Sequence, residues 1–237
     1  MDVLTDLLRW LTAPDQWSTP GSVHIPVRLE QHLAYSLAAT AVAVAIALPA
    51  GIGIGHSNRG GLFAIQLSNL GRAIPSLGII LLVFFAVGIS DVPVIVALTA
   101  LAIPPIVTNS YVGMRSVDPE VREAALGMGM TGLQVLWRVE VPVAMPLIMA
   151  GIRTSAVQVV ATATLAAYVG LGGLGRYLID GLAQQDLSQV LGGAVLVALL
   201  SLATELVLGR VQSLVVSRGL AARNADAAVR AKVQKTA

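Results

Sequence analysis

Five long stretches without a charged residue constrain the fold of this 237-residue chain more than any other feature. They are Leu33–Gly55, Ala73–Ser90, Val92–Met114, Thr154–Gly175 and Leu187–Thr204. Each is about as long as the 18 to 20 apolar residues that an α-helix needs to cross a bilayer. Strands of a membrane barrel alternate over about 10 residues, and these stretches do not alternate. We therefore predict an all-α integral membrane protein with about five transmembrane helices.

The low charge content supports the same class of protein. Only 12% of the residues are Asp, Glu, Lys or Arg, whereas soluble domains carry about 25%. So little charge cannot cover a soluble domain of this size, which excludes a soluble enzyme, a disordered chain and a nucleic-acid binder. The absence of cysteine excludes disulfides and thiolate-bound metals.

Two span boundaries remain open in the sequence. The apolar segment Leu62–Gly71 precedes the second stretch, so that helix is expected to start near Leu62 and to break or kink at Pro75. The fourth span is expected at Thr154 or already near Met145. A re-entrant segment at either place changes the count to four or six spans.

The basic residues predict an orientation. With residues 115–141 in the cytoplasm, the outer side receives only Arg9, Arg28 and Arg176 of the 15 Lys and Arg residues, as the positive-inside rule requires. The inner side receives the other twelve, Arg59, Arg72, Arg115, Arg122, Arg138, Arg153, Arg210, Arg218, Arg223, Arg230, Lys232 and Lys235. The amino terminus is therefore predicted outside the cell membrane and the carboxyl terminus inside. Residues 1–30 form an extracytoplasmic segment, 31–212 the membrane domain and 213–237 a basic cytoplasmic tail.

The first 17 residues allow two interpretations. An amphipathic helix at the membrane interface places leucines on one face and tryptophans near the headgroups: Leu4, Leu7, Leu8, Leu11, Trp10 and Trp17. The alternative is a loosely ordered outer tail.

The segment 115–141, called the EAA loop below, is the informative part of the predicted inner side. Asp118 is a good N-cap and Pro119 suits a first helical position, so a short helix is expected from Pro119 to about Met128. A glycine-rich break follows at Gly127, Gly129 and Gly132, and then a second short helix at about Leu133–Val139. Pro142 and Pro146 then open the fourth span. Two amphipathic helices around a glycine break indicate a docking site for another protein; a plain structured loop is the alternative.

These residues resemble the EAA motif of ABC-importer permeases. Glu123-Ala124-Ala125 is followed after three residues by Gly129, and after nine more by Val139-Glu140-Val141-Pro142, which is the spacing of the motif. Val139 and Val141 stand where the family more often has Ile and Leu. The resemblance covers about Gln31 to Gln212. It implies the type I, methionine-importer-like permease fold, with five spans and a cytoplasmic coupling loop.

The resemblance also implies partners and roles. The EAA loop is expected to dock in a groove of a separate ATPase subunit through Glu123, Ala124, Ala125, Gly129 and Pro142. The expected partners are two ATPase subunits, a second permease chain that is identical or homologous, and an extracytoplasmic solute-binding protein. ATP and Mg²⁺ belong to the ATPase, so this chain is expected to bind no cofactor and to be no enzyme.

Several segments are more narrowly similar to osmoprotectant permeases, which take up glycine betaine, choline, carnitine or proline betaine. They are Gln31-His32-Leu33, Ile74-Pro75-Ser76-Leu77, Val117-Asp118-Pro119, Gly127-Met128-Gly129-Met130, Ala150-Gly151-Ile152-Arg153-Thr154 and Gly170-Leu171-Gly172-Gly173-Leu174-Gly175. Two alternatives stay open: an ABC permease for another small solute such as an amino acid, and an ion-driven secondary transporter, although no internal repeat is evident.

Polar residues at membrane depth are expensive unless they are paired, so they are candidates for a translocation path. Asn109, Gln158 and Arg153 are the candidates here. Alternatively, such residues form hydrogen bonds between helices. Glu205 is expected to pair with a basic residue such as Arg153 or Arg210.

The sequence predicts no catalytic residue and no metal site. It contains no Walker A, HExxH or GxSxG pattern, and His24, His32 and His56 are scattered. Residues 170–175 fit GxGxxG, but an apolar helix precedes them where a dinucleotide fold needs a strand. We therefore expect a tight outer turn there.

Overall fold

The computed structural model describes residues 3–18, 24–58, 60–61, 66 and 75–216, which form helices and the turns that join them. The helices are α1 (Val3–Thr12), α2 (Pro14–Trp17), α3 (Ile25–Ser57), α4 (Ser76–Val87), α5 (Val92–Arg115), α6 (Pro119–Gly127), α7 (Gly132–Val135), α8 (Val141–Thr162), α9 (Gly175–Gln184) and α10 (Leu187–Val215). A π-helical turn at Leu136–Glu140 joins α7 to α8, and a 3-10 helix at Ala163–Val169 continues α8. No strand occurs among the described residues, and the all-α prediction is confirmed.

Four helical stretches are long and apolar enough to cross a membrane: Ile25–Ser57, Val92–Arg115, Gly132–Val169 and Leu187–Val215. They overlap four of the five predicted spans, and the predicted stretch Thr154–Gly175 extends beyond Val169. The remaining span corresponds to α4, an apolar helix of 12 residues that begins directly after Pro75, where the break was predicted. The predicted start of this span near Leu62 lies outside the described residues.

The helical stretch that contains the fourth span begins earlier than predicted. We expected a separate loop helix at Leu133–Val139, with the span opening at Pro142; the structure instead shows one continuous helical stretch from Gly132 to Val169. The π-helical turn explains this difference. The backbone nitrogen of Val141 bonds to the carbonyl of Leu136, and this wider turn accommodates Pro142, which has no N–H to donate.

Small residues bring the spans into close contact. A Cβ added to Gly51 of α3 would lie 2.7 Å from Ser110 Cβ and 2.8 Å from the carbonyl oxygen of Val107, both on α5. A Cβ added to Gly151 of α8 would lie 2.7 Å from Asn109 Cβ, also on α5. Because lipid tails are as apolar as side chains, close backbone approach holds membrane helices together. The core therefore forms where α3, α5 and α8 meet.

The amino-terminal segment packs against the last span. The Trp10 ring meets the Tyr177 ring edge to face, with centroids 5.1 Å apart, and a Cβ on Gly192 of α10 would overlap the Trp10 ring. The helical alternative is confirmed for Val3–Thr12. Its place relative to the bilayer stays a prediction.

Candidate functional site

Both short helices of the EAA loop begin with caps encoded in the sequence. The Asp118 carboxylate accepts a hydrogen bond from the backbone nitrogen of Glu120 at 2.9 Å. In the next helix the Thr131 hydroxyl accepts from the nitrogen of Gln134 at 3.4 Å, and the Gln134 side chain accepts from the nitrogen of Thr131 at 2.8 Å. These caps satisfy backbone donors that a helix start leaves free. The predicted start of α6 at Pro119 is confirmed.

Gly129 ends α6. Its φ is +88°, and its backbone nitrogen donates to the Leu126 carbonyl at 2.9 Å while that of Met130 donates to Ala125 at 3.2 Å. This bond pair is the Schellman arrangement, which needs a left-handed residue that glycine adopts without strain. Of the three glycines in the predicted break, Gly129 therefore makes the turn, whereas Gly127 and Gly132 lie within helices.

The predicted docking residues divide between two faces of α6. Glu123 and Ala124 are exposed, whereas Ala125 is 3% exposed and packs inside the loop. Pro142 is exposed in the first turn of α8. Large apolar side chains of the same loop are also exposed. Together with Glu123 and Ala124 they make up what we call the loop surface: Val121, Glu123, Ala124, Leu126, Met128, Leu133 and Trp137.

A buried carboxylate lies behind this surface. Glu140 is 1% exposed and contacts an arginine and a histidine from distant parts of the chain. Its Oε1 atom lies 2.5 Å from Arg122 Nε on α6. Its Oε2 atom lies 2.6 Å from His56 Nδ1 near the end of α3. Because a carboxylate only accepts hydrogen bonds, the His56 ring carries its hydrogen on Nδ1.

Sequence reasoning placed Glu140 in the motif but gave it no role. An acidic residue between apolar neighbours at the start of a span is a signal that it has a buried partner. The identity of that partner was not accessible, since His56 lies 84 residues away. Below this group, apolar side chains of α3, α5 and α8 form a separate cluster: Ile52, Met114, Val141, Ala144 and Ile148.

The three candidate path residues do not form one site. The Asn109 amide donates to the carbonyl of Pro105 on its own helix at 2.8 Å, and Gln158 is half-buried on α8. Arg153 faces α10, where its Nε atom lies 3.1 Å from Glu205 Oε1 and its Nη1 atom donates to Gln212 at 3.0 Å. The predicted pairing of Glu205 with Arg153 is confirmed. Lining of a path by these residues stays a prediction.

A second polar group, which sequence reasoning did not foresee, fixes the glycine-rich turn at 170–175. His32 is fully buried, and its Nε2 atom donates to the Val160 carbonyl at 2.8 Å while its Nδ1 accepts from the nitrogen of Leu174 at 3.3 Å. Gln31 accepts from the nitrogen of Gly173 at 2.9 Å. The predicted turn is confirmed, and the first span holds it in place.

Burial raises the pKa of Tyr177, just after this turn, to about 12. Its hydroxyl is therefore neutral at physiological pH. Among the described residues, no three His, Cys, Asp or Glu side chains lie together as metal ligands. The described residues thus present exposed apolar side chains on the EAA loop and buried polar contacts between helices.

Comparison with known proteins identifies the family. The family described as "Binding-protein-dependent transport system inner membrane component" matches residues 41–218. The carnitine transport permease protein OpuCB of Listeria monocytogenes is 40% identical over 186 residues, which are 78% of this chain and 85% of that protein. The glycine betaine/carnitine/choline transport system permease protein OpuCB of Bacillus subtilis is 37% identical over 190 residues, 80% of this chain and 88% of that protein.

The fold has also been seen before. An inward-facing structure of the MetNI methionine ABC transporter superposes with a TM-score of 0.69 at 21% identity, covering 79% of this chain and 94% of that chain. This likeness agrees with the expected methionine-importer-like fold. The chain belongs to the binding-protein-dependent transport family of inner membrane components, the permease subunits of ABC transporters, which are not themselves ATPases.

Proposed function

We propose that this chain is the permease subunit of an ABC importer that moves osmoprotectants inward, powered by ATP hydrolysis in a separate subunit. The observation that carries the proposal is the loop surface. It is presented by α6 and by the capped start of the helical stretch Gly132–Val169. It exposes large apolar side chains such as Met128 (74%), Leu133 (70%) and Trp137 (60%). Contiguous exposed apolar residues mark sites of protein contact.

The relatives support the solute class. Their names specify carnitine, the set glycine betaine, carnitine and choline, and, for a Bacillus subtilis permease that is 36% identical over 178 residues, choline. These solutes are small and share a quaternary ammonium group. We propose that a solute-binding protein supplies the aromatic cage that recognises such a cation, because few aromatic residues are present in this chain (4%).

We propose the assembly and orientation that the sequence indicates. Two permease chains, identical or homologous, form the pathway with two ATPase subunits and one binding protein. The EAA loop lies in the cytoplasm, the amino terminus lies outside and the carboxyl terminus inside. The excess of Lys and Arg on the loop side supports this orientation.

In this assembly, each part of the loop has its own task. Glu123 and Ala124 contact the ATPase groove: the carboxylate pairs with a basic residue, and the small side chain allows close seating. Gly129 shapes the surface through its left-handed turn, and Ala125 packs the helix onto its own chain. Pro142 starts α8 within the continuous helical stretch Gly132–Val169, so movement of the loop is transmitted along that span.

Uptake into membrane vesicles tests the proposal. Vesicles that contain this chain, its ATPase and its binding protein should accumulate labelled glycine betaine, carnitine or choline only when ATP is supplied. Omission of the ATPase subunit should abolish uptake. Uptake that follows an ion gradient without ATP would contradict the proposal and support a secondary transporter.

The same vesicles show which class of solute is transported. Unlabelled osmoprotectants should compete with uptake, whereas methionine and histidine should not. ATP-dependent uptake of an amino acid instead would retain the permease assignment and replace the solute. The fold shared with a methionine transporter makes that control informative.

A further inference from the structure

Glu140 connects three elements through one side chain. It lies in the π-helical turn that leads into α8, and its two oxygens contact Arg122 of α6 and His56 of α3 at 2.5 and 2.6 Å. No other ion pair among the described residues joins the EAA loop to the first span. The contact is therefore a specific connection between the loop surface and α3.

Burial makes this connection difficult to break. At 1% exposure the Glu140 carboxylate has little access to water, so it depends on Arg122 to compensate its charge and on the His56 ring for a hydrogen bond. Loss of one partner of a buried ion pair leaves an uncompensated charge, which is strongly unfavourable. Separation of α6 from α3 would require this loss, and the two helices are therefore held together.

From this geometry we propose that Glu140 is a positioning residue that makes the end of the first span move with the ATPase-contacting helix α6. The inference rests on the proposed function. When an ATPase displaces α6, Arg122 pulls on one carboxylate oxygen and the other oxygen pulls His56. The displacement thereby reaches α3 directly, in addition to the backbone route through the π-helical turn into α8.

Glu140→Gln in the complete transporter tests this link, because it keeps the shape of the side chain and removes its charge. Uptake and ATP hydrolysis are measured in the same proteoliposomes. Solute moved per ATP should fall about 2- to 30-fold, the range for residues that carry coupling between sites. Recovery of the ATPase with the permease should be unchanged, since Glu140 is buried behind the loop surface.

Asp180→Asn is the matched control. It removes the 2.7 Å ion pair with Arg176 within α9, which is remote from the EAA loop in sequence. Its ratio of uptake to hydrolysis should equal that of the wild type. An unchanged ratio in Glu140→Gln as well would overturn the proposal.

A distance measurement separates this inference from the proposed function. Because the chain has no cysteine, spin labels at Ser57→Cys on α3 and Glu120→Cys on α6, both exposed, are the only labels when this chain is labelled before assembly, and they report the separation of the two helices. Addition of ATP to the complex should leave this distance unchanged with Glu140 present and should change it in Glu140→Gln. The same distances in both proteins would contradict the link, even if the transported solute proves to be different.

If Glu140→Gln fails to assemble, His56 offers a second approach, since its side chain is 35% exposed. His56→Ala should lower the ratio of uptake to hydrolysis, and His56→Gln, whose amide can donate to the carboxylate, should restore much of it. Equal ratios in His56→Ala and the wild type would reject the proposal.

Discussion

The Nδ1 atom of His32 accepts a hydrogen bond from the backbone nitrogen of Leu174, 142 residues away in the sequence. The opposite ring nitrogen donates to the carbonyl of Val160. The two contacts define the tautomer, with the hydrogen on Nε2. They attach the start of the first span both to the fourth span and to the glycine-rich turn that follows it.

His32→Ala should therefore destabilise the folded protein. The substitution leaves a buried backbone donor and a buried acceptor without their partner, at about 1–3 kcal/mol for each. Thermal unfolding in detergent, followed by size-exclusion chromatography, should show a lower midpoint. His24→Ala is the control, because His24 is only half-buried and water can replace its bond to Asp15. An equal fall of the midpoint in both variants would argue against a stabilising role of the two His32 hydrogen bonds.

Two glycines of α3 give a matched pair for helix packing. A Cβ at Gly51 would lie 2.7 Å from Ser110 and 2.8 Å from Val107, whereas a Cβ at Gly53 would meet nothing within 4 Å. Gly51→Ala should cost about 1–3 kcal/mol, because the spans must separate. Gly53→Ala should be neutral or stabilising by up to about 1 kcal/mol, through helix propensity. Unfolding midpoints in detergent measure both, and a reversed order would refute the close contact of α3 with α5.

We expect the EAA loop to require Gly129 for the left-handed backbone conformation at this position. At φ +88° a β-carbon meets no neighbour within 4 Å, so the cost of substitution comes from the backbone alone, about 1–2 kcal/mol. Gly129→Val should distort the loop surface and reduce co-purification of the ATPase. Gly129→Asn should retain much of it, because asparagine tolerates the left-handed region.

Gly127→Ala is the control for that series. Gly127 lies within α6 with open space around its Cα, so alanine should support the helix and leave ATPase recovery unchanged. Equal recovery with Gly129→Val and Gly127→Ala would show that the left-handed turn is dispensable for docking.

Ala124 and Ala125 should respond differently to the same substitution. Ala124→Trp adds bulk on the exposed face, so membrane insertion and thermal stability should persist while ATPase co-purification and uptake are lost. Ala125→Trp adds bulk at a position that is 3% exposed, so the loop itself should unfold and the thermal midpoint should fall. Normal ATPase recovery with Ala124→Trp would refute the docking surface.

Several local features were accessible from the sequence because they depend on neighbouring residues. The uncharged stretches marked the spans, and Asp118 with Pro119 marked the start of α6. The break at Pro75 was also predicted, since α4 begins at the next residue. The continuous path from Gly132 into the fourth span was missed, because a π-helical turn before Pro142 has no simple sequence signature.

The two alanines of the EAA motif show what the local sequence cannot predict. Ala124 and Ala125 are identical in type and adjacent in sequence, and both were assigned to the docking face. Only the packing of the loop decides that Ala125 points inward and Ala124 outward. Arg153 is similar: its charge at membrane depth was evident, and its contact with Glu205 was confirmed among the alternatives.

By itself, the sequence determined that this is a membrane protein and where several of its helices begin. The reason is that hydrophobic length and helix capping depend on residues close together in the chain. The tertiary structure decided which distant polar groups meet. His56, Arg122 and Glu140 are unremarkable in the sequence, yet they share one buried contact. A buried charge must find its counterpart wherever the fold places it, and that choice depends on the packing of three helices at once.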